Sequence, residues 1–167
     1  MSQRIQSITT FTPTATADTT ALVDATYVTV VQGGSSTARV RIIEIYQGGQ
    51  AGASSPTFML LSRDSTVGVT ISQSTGGTDA SLDPANEVLT NTVKVGSTAS
   101  TDPQRSSTLH LMNLSFNAFG GIVRWVTSPE EQIFTVGNTA SLGEVSLSAF
   151  TGGTAGLMGA HVVYEPI

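Results

Sequence analysis

The stretch Thr37-Ala38-Arg39-Val40-Arg41-Ile42-Ile43-Glu44-Ile45-Tyr46 decides the fold. Val40 and Ile42 alternate with polar neighbours, which is the period of a strand with one buried face. After Ile42 the apolar phase slips by one residue, to Ile43 and Ile45. A slip of one residue inside an otherwise regular strand predicts a β-bulge near Ile42-Ile43.

The neighbouring segments repeat the signal. Upstream, Ala25-Thr26-Tyr27-Val28-Thr29-Val30-Val31 is rich in β-branched residues and ends at the turn signal Gln32-Gly33-Gly34. Downstream, Gly48-Gly49-Gln50-Ala51-Gly52-Ala53-Ser54-Ser55-Pro56 reads as a flexible loop, followed by a buried strand at Thr57-Phe58-Met59-Leu60-Leu61. Val67, Val69 and Ile71 alternate with polar residues and glycine as a half-buried strand. Further strands are expected at 91–95, 108–116, 122–127, 132–136, 144–150 and 157–164, most of them separated by Gly, Asn, Ser or Pro clusters. In the long connection between the halves, Asp83-Pro84 reads as the cap and first residue of one short helical turn.

Many short strands without a long amphipathic helix predict an all-β fold, a sandwich or barrel with a jelly-roll-like topology. One β domain is expected over residues 1–167. Residues 1–20, Thr-rich from Ser7 onward and holding Pro13, are expected to form an extended arm or an irregular edge segment.

Composition narrows the function. The chain is 39% hydrophobic and 11% charged with a net charge of -5, so it has the apolar content to fold. Lys94 is its only lysine, and no Lys/Arg cluster offers a means of neutralising phosphates. Nucleic acid is therefore not an expected partner. The N-terminal segment lacks the apolar core of a secretory signal and no stretch is apolar for long enough to span a bilayer. Cytoplasmic synthesis is expected, with no membrane partner.

Chemistry-bearing motifs are missing from the sequence. Cysteine is absent, which removes disulfides, thiolate nucleophiles and zinc–thiolate sites. His110 and His161 lie in separate strands, with no metal-ligand spacing around them. There is no Gly-x-Ser-x-Gly elbow or phosphate loop. Asp79, Asp83 and Glu87, with Asn86, could supply oxygen ligands to calcium, but they lack the spacing and the glycine of an EF-hand loop and read rather as a solvated loop with a helix cap. Glu130 and Glu131 are adjacent, so their side chains are expected to point apart. No catalytic, cofactor-binding or metal-binding residue is assigned.

The remaining candidates are interface residues. Arg124 and Trp125 are neighbours in Ile122-Val123-Arg124-Trp125-Val126, and both residue types are common in protein interfaces. Strand alternation gives a second reading, with Trp125 in the core and Arg124 on the solvated face. Gly48, Gly49 and Gln50 in the predicted loop, and Pro13 in the predicted arm, complete the set.

Two segments carry a resemblance: Asn113-Leu114-Ser115-Phe116-Asn117-Ala118-Phe119-Gly120-Gly121-Ile122-Val123-Arg124-Trp125 and Ser141-Leu142-Gly143-Glu144-Val145-Ser146-Leu147-Ser148-Ala149-Phe150-Thr151-Gly152-Gly153. They resemble the small structural proteins encoded in the head-gene region of tailed phages, in particular the capsid decoration or cement proteins. The resemblance implies an all-β protein, often a jelly roll or β-tulip, that binds the outside of an expanded capsid as dimers or trimers. Its implied partners are the major capsid protein and copies of itself, with a homo-trimer preferred. A tail or baseplate component and a carbohydrate-binding jelly roll are the alternatives.

Overall fold

Alternating β-branched residues extend the chain into strands, and no helix occurs among the described residues of the computed structural model. These are residues 5–11, 27–33, 35, 37–67, 80–82, 93–96, 101–137, 142–151 and 157–167. The strands are β1 (Gln6–Phe11), β2 (Thr29–Gly33), β3 (Arg39–Gln50), β4 (Pro56–Thr66), β5 (Ala80–Ser81), β6 (Val93–Gly96), β7 (Gln104–Asn117), β8 (Phe119–Val126), β9 (Ile133–Val136), β10 (Val145–Thr151) and β11 (Leu157–Pro166). They form two antiparallel sheets. The first has the order β5-β1-β11-β3-β8, with β9 also paired to β3; the second runs β6-β2-β10-β4-β7.

Strand β3 organises the first sheet. One edge pairs with β11 along nearly its whole length, while the other pairs with β9 from Arg39 to Ile42 and with β8 from Glu44 to Gln50. The predicted bulge is present. Val163 faces Glu44 and Tyr164 faces Ile42, so Ile43 is the extra residue, and its carbonyl accepts the Thr127 N–H at 2.9 Å. The extra residue lets Ile42 and Ile45, three positions apart, both reach the core, where each is at most 1% exposed.

The inner faces of the two sheets enclose Val40, Ile42, Ile45, Met59, Leu61, Val145, Leu147 and Tyr164 among others. With β5, β6 and β9 set aside, the other eight strands pair first with last: β1 with β11, β2 with β10, β3 with β8 and β4 with β7. The chain is one long antiparallel ribbon folded over so that β11 also meets β3 and β10 also meets β4. Near the end of β9 the layers touch backbone to backbone, through a parallel bridge between Gly33 and Gly137. A Cβ on Gly33 would lie 1.9 Å from the Ala38 carbonyl oxygen, and one on Gly137 would lie 1.9 Å from that of Ser35.

Within the segment expected as an arm or edge, Gln6–Phe11 is a strand lying between β5 and β11. One sequence expectation changes. Gly48, Gly49 and Gln50 are not loop residues but the end of β3, paired to β11, so the loop shortens to 51–55. Pro13, the Asp83-Pro84 turn, the acidic set Asp79, Asp83, Asn86 and Glu87, and the strand expected at Val69 and Ile71 lie outside the described residues.

Candidate interaction face

On β3, Ile45 and Ala51 point into the core, so the intervening Tyr46, Gly48 and Gln50 belong to the opposite face. Strand register places their neighbours. One row reads Thr9, His161, Tyr46, Arg124 across β1, β11, β3 and β8. The next brings Gly159 and Gly48 beside Ile122, and a third aligns Leu157, Gln50 and Phe119.

The first row is held by polar and ring contacts. Thr9 Oγ1 lies 3.0 Å from His161 Nδ1, the His161 and Tyr46 rings meet edge to face at 5.6 Å, and the Arg124 guanidinium lies 5.2 Å from the centre of the Tyr46 ring. Arg124 Nε also donates to Glu44 Oε1. Desolvation works to raise the Glu44 carboxyl, but hydrogen bonds from Arg124 and Tyr46 outweigh it and hold the group below its ordinary value. The hydrogen bond to Glu44 in turn raises the Tyr46 hydroxyl.

Two adjacent glycines leave the second row without side chains at its middle, and the result is a trough of about 500 Å³. Its walls come from Tyr46, His161, Gln50, Leu157 and Ile122, and are mostly carbon. Beside it Ile122 is 67% exposed and Phe119 58%. Exposed apolar side chains flanking an apolar hollow are the mark of a contact surface.

The predicted interface residues divide accordingly. Gly48, Gly49, Gln50 and Arg124 come together at or beside this trough. Trp125 does not join them: alternation sends it to the other side of β8, where it packs half-buried against the core. There it helps line a second hollow of about 320 Å³ with Leu111, Met112, Glu131 and Ile133, at the open edge between the two sheets. His110 sits apart on β7, 3.3 Å from Ser62 Oγ. The exposed Glu130 and Glu131 belong to the turn between β8 and β9.

One constellation went unseen in the sequence. Gln32, Glu144, Asp64 and Arg105 form a row across β2, the residue preceding β10, β4 and β7, and each is at most 1% exposed. Gln32 Nε2 donates to Glu144, Ser146 Oγ donates to Asp64 Oδ1 at 2.5 Å, and Arg105 Nη1 donates to Ser148 Oγ at 2.7 Å. Burial raises the Asp64 carboxyl to about 6, while hydrogen bonds to Ser146 and Glu144 and the charges of Arg105 and Arg63 pull against that rise. The only local signal is an acid beside an apolar run, at Leu60-Leu61-Ser62-Arg63-Asp64 and again at Glu144-Val145.

Among the described residues no group of three or more His, Cys, Asp or Glu side chains is arranged to hold a metal ion. No helix there is long and apolar enough to cross a membrane. Comparison with protein-family models, curated proteins and solved structures finds no match.

Proposed function

We propose that the protein is a non-enzymatic structural component of a tailed-phage virion, a jelly roll that binds the outer surface of the expanded capsid and stabilises it. The observation that carries this reading is the strand order. Eight strands pairing first with last in two antiparallel sheets is the connectivity of a jelly roll, an architecture widely used by viral capsid and lectin domains. It agrees with the resemblance of the two segments within 113–153 to decoration proteins. The uncharged trough with its exposed Ile122 and Phe119 suits contact with a neighbour in a dense lattice, because little charge has to be desolvated.

The partners in this reading are the major capsid protein and further copies of the chain, with no contact to the genome or a membrane. The test is the copy number in purified virions, located by immunogold labelling. Copies on the head in numbers comparable to the capsid protein support the proposal. A handful of copies on the tail would replace it with the baseplate reading, and absence from virions would overturn it. Binding to undecorated heads should be similar with and without packaged DNA and should vary little with salt, since few ion pairs are available to be screened.

A second reading has one observation in its favour. The Tyr46 and His161 rings stand beside the trough, as in a carbohydrate-binding jelly roll. Walls made mostly of carbon leave few groups to fix sugar hydroxyls, and for that reason the virion reading is preferred.

A further inference from the structure

The apolar face of the first sheet holds both a projection and a hollow. Ile122 stands on β8, and in the same row Gly48 and Gly159 leave β3 and β11 without side chains. With strands about 4.8 Å apart, the projection lies about 10 Å from Gly159, and β3 runs midway between them. Two such faces can therefore fit each other. A two-fold axis lying along β3, in the plane between two facing sheets, carries Ile122 of each copy over Gly159 of the other. We propose that the protein self-associates in this way, as a face-to-face dimer closed by mutual insertion of Ile122 into the Gly48–Gly159 trough.

The same axis fixes the other contacts. Phe119 and Leu157 are separated by one strand in the third row, so the axis sets Phe119 of one copy against Leu157 of the other, apolar on apolar. Tyr46 faces Tyr46, and Arg124 comes over the partner's His161 ring. An isologous contact of this kind uses one patch twice and closes without leading to fibres.

Charge selects a second copy as the occupant. The chain carries a net charge of -5, which opposes association of like molecules in most orientations. Among the described residues, the charged side chains of the three rows and their border are Arg124 and Glu44, and they neutralise one another. The axis overlaps three strands, β11, β3 and β8, and about seven residues along each give a face of about 14 by 24 Å. So small an interface makes the association weak and reversible. A pair bound through this face is a different assembly from the trimer expected on resemblance.

Sedimentation equilibrium from about 1 to several hundred micromolar tests the proposal, and its outcome is independent of whether the protein is found in virions. A monomer–dimer equilibrium is expected. Ile122→Glu should weaken it at least tenfold without changing the melting curve, because Ile122 is exposed. Gly48→Val should do the same by filling the trough; its Cβ meets nothing nearer than the Gly121 carbonyl oxygen at 3.4 Å, and its melting curve is recorded beside that of Ile122→Glu.

A Gln50→Cys variant supplies a positional readout in a chain that has no cysteine of its own. Gln50 lies on β3, along the axis, so the two copies' thiols face each other across sheets about 10 Å apart, beyond disulfide reach but within that of a short bis-maleimide, which should give a covalent dimer. A monomer throughout the range, a trimer, an association indifferent to both substitutions, or failure to cross-link would each overturn the proposal. A monomer that binds sugars on a glycan array and loses them with Gly48→Val would overturn it in favour of the carbohydrate site.

Discussion

Gln47 faces the core between Ile45 and Gly49, wholly buried, and among the described residues neither its Nε2 nor its Oε1 has a hydrogen-bond partner. A buried amide without partners costs about 1–3 kcal/mol relative to a satisfied or apolar group. Gln47→Leu, of similar volume, should therefore stabilise the protein by about 1–2 kcal/mol, read as a higher urea midpoint; an unchanged midpoint would refute the cost. Asp64 makes the second residue-scale prediction. Its folded carboxyl titrates at about 6, above the ordinary aspartate value near 4, so the folded state holds this proton more tightly than the unfolded chain. The stability it contributes is present below about pH 4 and is lost as pH rises through about 6. Urea denaturation should accordingly report a loss on the order of 1–3 kcal/mol between pH 4 and 7 from this group. Asp64→Asn should flatten that part of the profile, whatever it does to the absolute stability.

At the scale of elements, the contact of β2 with the end of β9 depends on two residues having no side chain. Gly33→Ala or Gly137→Ala would drive a methyl group into a backbone carbonyl at 1.9 Å, and backbone has no rotamer by which to yield. Either substitution should cost at least about 2–3 kcal/mol in thermal unfolding; a cost under about 0.5 kcal/mol would mean that the layers separate there easily. How far such elements could be read in advance depended on whether their cause was local. The β3 bulge was legible because a period of two keeps count along a single strand, and Ile43 broke the count. The opposite facing of Arg124 and Trp125 followed from the same alternation. Strand β1 was hidden because Ser7-Ile8-Thr9-Thr10 has little apolar character of its own and acquires its state from β5 and β11 on either side. Gly48-Gly49 carries the local signature of a loop, yet pairing with β11 and β8 overrides it. Neither the trough nor the Gln32–Glu144–Asp64–Arg105 row could be read locally, since each is assembled by register between strands far apart in sequence.

At the scale of the whole molecule, the pairing of first strand with last bears on how the protein is made. Gln6 is matched to Tyr164, and β11 fills the place between β1 and β3 near the middle of its sheet. A ribosome releases β1 long before β11 exists, so β1, β3 and their neighbours must wait with unmet edges until the last strand emerges. Closure of loops this long makes folding slow, and the waiting chain is exposed to aggregation. Pulse-labelled nascent chains should stay protease-sensitive until Pro166 has cleared the exit tunnel, and a chain stopped before Leu157 should remain sensitive indefinitely. Protection of such a shortened chain would refute this order of events. Emergence of β11 thus acts as its own inspection step, since a copy cut short before it lacks the strand that joins β1 to β3 and is left to proteases.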